Sequence, residues 1–553
     1  MKNFWCAALA TALLPMAAQA QTAAKPKLIV AISVDQFSAD LFAEYRQTYV
    51  AGMKRLASGV VFPSGYQSHA ATETCPGHST ILTGSHPART GIIANEWIDH
   101  SVSRGKAKSH VVYCAEDERQ PGTTSSPADY VVSPLHLRTP TLGDRMKRAD
   151  PRSRVVAVAG KDRAAVMMGG HMTDAIWYLD PRKRASYVTL PDRDQAAPAI
   201  VQQVNARVAE VIAHPSKPRL PPSCASRSSP IKLSPEGPTI GVLSAPATDF
   251  RNTPEFDATT ADIAIGLLAS LKLGHGPAPD LLAIGLSAND AVGHAFGTEG
   301  AEMCAQQAAL DRTVGRILAA LDANGAPYVI VLTADHGGYD APERHAERGM
   351  ADAGRLDAKF SLADIGRDVA GEFGLDLGEQ PLLEGAAQGD VWLSPAVPAA
   401  TRPQVLAAVK AKILAFPQVA AVFSADEIAR SPPLVPPVDD WSLLQKARAS
   451  YDGERSGDLL VFLVPRIIPD QVKDHVATHG SPWNYDRRVP MLFLRPGQTP
   501  FEQPLSVETV DILPTLAALI DLKVPQDEID GHCLDLDPGP GDTCPVSTHE
   551  ARP

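Results

Sequence analysis

Seven residues of metal-ligand or nucleophile type are spread over most of the chain, and each follows an apolar run or lies in a turn marked by Gly or Pro. They are Asp35, Thr74, Asp290, His294, Asp335, His336 and His479. Three carboxylates and three imidazoles can bind two zinc ions, and the threonine hydroxyl can accept a phosphoryl group. The set therefore indicates hydrolysis of phosphate esters at a two-metal site.

Thr74 lies in the segment ATETCPGH, ahead of a proline and a helix-compatible run. An ordinary explanation is that Thr74 caps this helix and that Pro76 occupies its first turn. A hydroxyl in that position also faces free N–H groups and the positive end of the helix dipole, which suit a phosphoryl group. Because a threonine hydroxyl is a weak nucleophile at neutral pH, it would need a metal ion to stabilise its alkoxide.

The metal-ligand types occur in contexts that suit ion binding. Asp335 and His336 follow the run YVIVLTA and precede two glycines, which let the backbone approach an ion. Asp290 and His294 are four residues apart and would point the same way on a helical turn. Each alone has an ordinary explanation as a cap or a structural histidine. The occurrence of the whole set in one chain favours a site.

Three more residues could hold the phosphoryl oxygens. Lys161 and Arg163 follow an apolar run and are two apart, so an extended backbone would place both on one face. A guanidinium fork matches phosphoryl oxygens, and the ammonium adds a point charge. Asn95 follows the Thr74 segment and could donate an amide hydrogen to the same oxygens. The alternatives are a solvated surface turn for the basic pair and an ordinary turn asparagine for Asn95.

Five motifs resemble the alkaline phosphatase superfamily and appear in its order: TCPGHSTILTG, GIIANEW, DAVGH, TADHGG and HGSPWNYD. The resemblance is closest to the exported threonine-nucleophile alkaline phosphatases and the related nucleotide pyrophosphatase/phosphodiesterases, and it covers nearly the whole mature chain. It implies that two zinc ions are bound, one by Asp35, Thr74, Asp335 and His336 and the other by Asp290, His294 and His479.

The resemblance also separates the substrate classes. Asn95, Lys161 and Arg163 match the monoesterases, in which a dianionic phosphoryl group needs extra positive charge. Sulfatases are disfavoured because Cys75 does not begin their Cys-x-Pro-x-Arg motif. We therefore predict a zinc-dependent alkaline phosphatase that hydrolyses phosphate monoesters through a covalent phosphothreonine at Thr74. The alternatives are a phosphodiesterase or nucleotide pyrophosphatase at the same two-zinc site, and a non-catalytic zinc- or phosphate-binding protein on this scaffold.

The strands that would position these residues are marked by continuous apolar runs rich in Val, Ile and Leu. These runs are Leu28 to Val34, Arg154 to Ala159, Asp280 to Leu286, Tyr328 to Thr333, Leu459 to Val464 and Met491 to Leu494. Helical patterns lie between several of them, notably at Ala305 to Leu321 and Val507 to Ile520. We predict an α/β fold with a central, mostly parallel sheet and helices on both faces, which the resemblance identifies as alkaline phosphatase-like. Several candidate residues follow strand carboxyl ends, where ligands bind in such sheets.

The chain is long enough for one large domain with inserted subdomains. Residues 1–20 have the pattern of a cleavable signal peptide, with Lys2, a short apolar run and a small-residue site ending at Ala20. We place the catalytic domain at 25–545, a loop-rich cap insertion at 167–261 and a small α/β subdomain at 338–457. Both insertions are candidates for substrate selectivity.

The predicted signal peptide indicates a periplasmic or secreted protein, and its charge favours small substrates, which the site residues and the resemblance identify as small-molecule phosphate esters. Removing Lys2 leaves 50 of the 51 basic residues against 63 acidic ones, a net charge of −13, which disfavours a nucleic acid duplex as partner. No later apolar run is long enough to span a membrane. Six cysteines would remain, and an even number favours disulfides after export. Cys533 and Cys544 are the clearest pair, while the other four allow three pairings.

Overall fold

The computed structural model describes residues 24–104, 109–120, 130–190, 197–235, 237–243, 247–539 and 541–544. The predicted signal peptide at 1–20 lies outside these residues. Within them, no helix combines the length and the apolar character needed to cross a membrane.

Ten strands of the described residues form one central sheet. In chain order they are β1 Leu28–Val34, β2 Val60–Tyr66, β3 Val155–Ala159, β4 Ala175–Leu179, β5 Tyr187–Val188, β6 Asp280–Leu286, β7 Tyr328–Thr333, β8 Arg488–Leu494, β9 Phe501–Glu502 and β10 Val507–Glu508. Their spatial order is β9-β2-β8-β7-β1-β6-β3-β4-β5, with β10 also paired to β2. The five strands from β7 to β4 are parallel, whereas β8 is antiparallel to both of its neighbours. The predicted mostly parallel sheet is confirmed.

Strand β1 shows why both faces of this sheet are covered. Its alternate residues Leu28, Val30 and Ile32 enter one hydrophobic core, and Ile29 and Ala31 enter another on the opposite face. The helices of the first core are Ala39–Tyr45, Gly52–Leu56, Pro198–Ala213, Pro254–Ser270, Ala288–Phe296 and Ala301–Asn324. Those of the second core are Thr74–Ile81, Leu142–Ala149, Asp162–Gly169 and Ile512–Leu519.

A second, four-stranded antiparallel sheet lies within the C-terminal half of the chain. Its strands, in spatial order, are Leu383–Gly385, Gly389–Leu393, Leu459–Leu463 and Val419–Ser424. Helices Leu362–Glu372 and Arg402–Leu414 contribute to the core beneath it. The apolar run from Leu459 is therefore a strand as predicted, but it does not belong to the central sheet. A continuous apolar run indicates that a strand is buried on both faces, but it does not indicate which sheet the strand joins.

One helix prediction was wrong at its start. Val507 to Ile520 was expected to be a single helix, but strand β10 pairs with β2 at its beginning. A capping box between Glu508 and Asp511 follows, and the helix proper covers only Ile512–Leu519. The pairing with β2 is a tertiary contact that overrides the local apolar period.

The segment 167–261 contains more regular structure than a loop-rich insertion. It includes strands β4 and β5 and helix Pro198–Ala213, whose Val201, Val204 and Val208 are buried in the first core. Its proposed role as a cap, and the boundaries 167–261 and 338–457, stay predictions.

Shorter elements connect these layers. The strand pairs are Glu96–Ile98 with Val111–Tyr113, Ile231–Lys232 with Thr239–Ile240, and Gly354–Arg355 with Ile467–Ile468. The remaining helices are Pro87–Thr90, Pro342–Glu347, Ala425–Ala429, Leu443–Ser450 and Asn484–Arg487.

Three disulfides join parts of the described chain. The predicted pair Cys533–Cys544 is confirmed. The other four cysteines pair as Cys75–Cys114 and Cys224–Cys304. The Cys224–Cys304 bond closes a segment of 80 residues and the Cys533–Cys544 bond one of 11.

Removing Cys224–Cys304 should destabilise the protein more than removing Cys533–Cys544, because the longer loop restricts the unfolded chain more. Loop-closure entropy sets the expected difference at about 2 kcal/mol in the free energy of unfolding. Denaturant unfolding of the two double Cys→Ala variants, compared with the wild type under oxidising conditions, measures it. An equal loss in both variants would contradict the loop-length explanation.

Candidate active site

The parallel strands bring distant residues to one edge of the central sheet. Strands β3, β6, β1 and β7 are consecutive neighbours, so their carboxyl ends lie side by side. Asp35 directly follows β1, and Asp335 follows β7 after one residue. Lys161 comes two residues after β3, and Asp290 lies in the helix that follows β6. The edge expected from the sequence is the one where these side chains meet.

The first cluster contains Asp35, Asp335, His336 and His78, all fully buried or nearly so. His336 Nε2 lies 3.2 Å from Asp335 Oδ2, and His78 Nδ1 lies 3.1 Å from the same oxygen. His78 Nε2 is 3.8 Å from Asp35 Oδ1. The other oxygen of Asp335 accepts backbone N–H bonds from Gln36 and His336, which fix the carboxylate.

The second cluster is built around Asp290. Its Oδ1 atom is 3.3 Å from His294 Nε2 and 3.5 Å from His479 Nε2. His294 lies one turn after Asp290 in helix Ala288–Phe296, as the spacing of four predicted. Lys161 Nζ joins the two clusters, because it contacts Asp290 Oδ2 at 2.6 Å and Asp35 Oδ2 at 3.0 Å.

The imidazoles of both clusters are held in one tautomer by the backbone. Their Nδ1 atoms lie against carbonyl oxygens, His294 with Ala477 at 2.9 Å, His336 with Gly337 at 2.8 Å and His479 with Thr72 at 2.8 Å. A carbonyl can only accept, so Nδ1 carries the hydrogen and Nε2 is left with its lone pair. Each Nε2 then faces a carboxylate oxygen, an arrangement that requires a proton or a metal ion between the two atoms.

Several buried polar atoms of these clusters have charged or imidazole groups nearby but make no hydrogen bond of suitable geometry within the described part of the chain. They are both carboxylate oxygens of Asp35, Asp335 Oδ2, His336 Nε2 and His78 Nε2. Buried polar atoms are rarely left unsatisfied in folded proteins. The donor set, imidazole nitrogen with carboxylate oxygen, fits divalent transition metals. The residues present therefore fit metal ions at both clusters.

Burial and neighbouring charges shift the pKa values of residues in both clusters. Burial raises the pKa of Asp35 to about 7, and the nearby Asp335 adds to the rise. Burial by itself would raise the pKa of Asp290, but Lys161, His294 and His479 together outweigh it and hold this pKa well below its usual value. Burial lowers the pKa of His479 to about 3, which keeps this imidazole neutral, as a metal ligand must be.

Thr74 lies beside Lys161 and Arg163, the two basic residues predicted to hold the phosphoryl oxygens. Lys161 Nζ is 3.2 Å and Arg163 Nη2 is 3.4 Å from Thr74 Oγ1. The two basic residues converge, but not on an extended backbone. Lys161 is extended and caps helix Asp162–Gly169, while Arg163 already lies in its first turn. Their long side chains, rather than strand alternation, bring them together.

The helix of Thr74 begins one residue earlier than expected. Glu73 has an extended backbone and is the N-cap, so Thr74 is the first helical residue of Thr74–Ile81. Asn95 supports this helix end, because its Oδ1 accepts from the Cys75 N–H at 2.9 Å and its own N–H donates to Glu73 Oε2 at 2.7 Å. The nucleophile candidate is thus held by its neighbours on both sides.

His78 was missed by the sequence analysis. It lies one helical turn after Thr74, where its Nδ1 contacts Thr74 O at 2.9 Å and its ring enters the first cluster. The spacing of four from Thr74 within TCPGH was the available signal, because it places both residues on one helix face.

A third group of possible ligands is already neutralised by cations. Glu299, Asp340 and His345 lie close together. Arg344 donates to Asp340 at 2.6 and 2.8 Å, and Arg348 pairs with Glu299. This group is therefore an ion-pair network.

Known proteins match the chain over most of its length. Residues 29–481 match the family described as type I phosphodiesterase / nucleotide pyrophosphatase. Alkaline phosphatase PhoD of Zymomonas mobilis is 51% identical over 96% of this chain and 92% of its own length. Alkaline phosphatase PhoK of a Sphingomonas species is 50% identical over 95% and 94%. The crystal structure of alkaline phosphatase PafA superposes with a TM-score of 0.78 at 26% identity, covering 93% of this chain and 99% of PafA.

Gly77 allows the helix of Thr74 to lie directly on the first cluster. A Cβ atom at this position would come 2.0 Å from Asp335 O and 2.6 Å from its carbonyl carbon. Gly77→Ala should therefore displace Thr74 from Asp335, and a displacement of about 1 Å lowers turnover by roughly 100-fold. Steady-state kinetics measure the loss. Gly453→Ala is the matched control, since a Cβ there meets no described atom within 4 Å; similar losses in both variants would contradict the close-approach explanation.

Proposed function

This chain belongs to the type I phosphodiesterase / nucleotide pyrophosphatase family and is an alkaline phosphatase of the PhoD and PhoK type, a phosphoric monoester hydrolase. From that premise we propose that it uses two zinc ions and a covalent phosphothreonine at Thr74. The single observation that carries this proposal is the position of Thr74 Oγ1 beside two cationic donors, Lys161 and Arg163.

Those two donors favour the reactive form of the threonine. Lys161 and Arg163 each direct an N–H group at Thr74 Oγ1, so both stabilise negative charge on that oxygen. The surrounding site is buried, with Thr74 itself only 1% exposed. In such surroundings fixed donors stabilise charge more strongly than water does. The chain therefore lowers the cost of forming the threonine alkoxide.

The metal ions would be divided between the clusters as follows. One ion would be held by Asp35, Thr74, Asp335 and His336, and the other by Asp290, His294 and His479. When bound, the ions supply Lewis acidity, which favours ionised oxygen nucleophiles at neutral pH and neutralises charge on the departing oxygen. Zinc is proposed because mixed imidazole and carboxylate donors suit it.

The reaction then proceeds in two steps. Thr74 Oγ1 attacks phosphorus, the ester bond breaks, and the alcohol leaves while the phosphoryl group remains on Thr74. A water molecule next attacks the phosphothreonine, releases inorganic phosphate and restores the hydroxyl. Lys161 and Arg163 hold the non-bridging oxygens in both steps, where charge persists in a loose transition state.

Asn95 adds a third contact to the phosphoryl group. Its amide oxygen is already bonded to the Cys75 N–H, which leaves the two amide hydrogens for a substrate oxygen. Three donors around one phosphoryl group suit a dianionic monoester better than a monoanionic diester. The phosphodiesterase alternative lacks this justification.

Export fits the same proposal. The three disulfides Cys75–Cys114, Cys224–Cys304 and Cys533–Cys544 are consistent with an oxidising, extracytoplasmic compartment. We propose a periplasmic or secreted enzyme whose substrates are small phosphate esters. A signal peptide cut after Ala20 would deliver it there.

Thr74→Ala should lower turnover of an aryl phosphate by roughly 10⁴-fold or more, because it removes the nucleophile. Thr74→Ser keeps a hydroxyl and should retain a measurable part of the activity. Mass spectrometry of acid-quenched enzyme should detect one added phosphoryl group on the wild-type peptide that contains Thr74. Wild-type turnover by Thr74→Ala, or phosphate found on another residue, would refute this assignment.

Removing the metal ions should lower the unfolding temperature of the protein, since ions that bind only the folded state stabilise it. Elemental analysis should find about two zinc ions per chain in the wild type and about one in His479→Ala. The matched control is His475→Ala. His475 lies beside His294, with ring centroids 4.5 Å apart, but its Nδ1 pairs with Asp470 at 2.7 Å. Equal metal loss in the two variants would argue against the second cluster as a zinc site.

A further inference from the structure

Tyr113 is a buried residue beside the active site that the proposed reaction does not use. Its hydroxyl lies 3.5 Å from Arg163 Nη1, and the residue is 8% exposed. The other terminal nitrogen of the same guanidinium, Nη2, is the one that reaches Thr74 Oγ1 at 3.4 Å. Because a guanidinium is planar and rigid, a contact on one nitrogen fixes the direction of the other.

The hydrogen bonds of Tyr113 have a defined direction. Its hydroxyl donates to the carboxylate of Asp162, at 3.0 Å to Oδ1 and 3.2 Å to Oδ2. A tyrosine has one hydroxyl hydrogen, so its lone pair is left for the guanidinium of Arg163. Asp162 is buried and also accepts from Tyr130 at 2.7 Å. Asp162 therefore orients Tyr113, and Tyr113 in turn orients Arg163.

The strand that ends at Tyr113 is linked covalently to the helix of the nucleophile. Cys114, next to Tyr113, forms a disulfide with Cys75, next to Thr74. The backbone N–H of Cys114 also donates to Asn95 O at 2.9 Å. Movement of Tyr113 relative to Thr74 is thus restricted through the chain as well as through hydrogen bonds.

We propose that Tyr113 is a positioning residue that aims Arg163 at the phosphoryl group and so contributes to the preference for monoesters. This inference rests on the proposed role of Arg163 in binding the phosphoryl oxygens. The side-chain hydrogen bonds of Tyr113 go to Asp162 and Arg163, and among the described residues none joins it to Thr74 or to the proposed metal ligands. Its effect should appear wherever Arg163 acts and disappear where Arg163 is absent.

The test compares Tyr113→Phe, Arg163→Ala and the double variant on an aryl phosphate and a bis-aryl phosphate. Loss of a hydrogen bond to a charged group should lower kcat/KM for the monoester by roughly 10-fold and leave the diester within about two-fold. Inhibition by inorganic phosphate should weaken by a similar factor. In the Arg163→Ala background, Tyr113→Phe should have no further effect.

Tyr130→Phe is the matched control. The ring of Tyr130 lies next to that of Tyr113, with centroids 4.6 Å apart, but its hydroxyl donates to Asp162 and not to Arg163. This variant should change monoester kcat/KM by no more than about three-fold. Equal losses on both substrates, or additive losses with Arg163→Ala, would overturn the inference while leaving the role of Arg163 intact. If Arg163→Ala itself spares monoester hydrolysis, the proposed phosphoryl site fails and this inference fails with it.

Discussion

Three carboxylates are buried together at the carboxyl ends of parallel strands, namely Asp35, Asp290 and Asp335. The rest of the site must compensate their negative charge. Like charges at short range in a water-poor site repel one another strongly. Lys161 compensates part of this repulsion through its contacts with Asp35 and Asp290. The Nε2 lone pairs of the imidazoles face the same carboxylate oxygens, so a positive charge is needed between them, which metal ions would supply. The charge and the donor atoms of these residues are therefore consistent with bound metal ions.

The backbone provides the rigidity that such a site needs. Carbonyl oxygens of Thr72, Gly337 and Ala477 fix the tautomers of the three imidazoles that they contact, and none of these carbonyls belongs to a strand. Gly77 lets the Thr74 helix lie against the backbone of Asp335. Loops and turns therefore orient the side chains of the site, while the strands of the central sheet bring those side chains to one edge.

The proposed selectivity for a phosphoryl dianion would have a separate structural origin. Thr74 and the metal-ligand clusters would suit either a monoester or a diester, because both pass through charged phosphoryl transition states. In the proposed reaction the contacts that would distinguish them come from Asn95 and Arg163, which are held by hydrogen bonds with Cys75 and Tyr113. We therefore propose that specificity depends on neighbours of Thr74, whose segments are joined by the Cys75–Cys114 disulfide.

The sequence by itself determined which residue types the site contains and which strands carry them. Strands β1, β6 and β7 have the bounds read from their apolar runs, because burial on both faces leaves a continuous local signal. The order of motifs further identified the family. Only the tertiary structure decided which sheet received Leu459–Leu463, which cysteines paired, how His78 entered the first cluster and how Tyr113 met Arg163. Each of these depends on contacts between segments far apart in the chain, and no local pattern of residues encodes a distant partner.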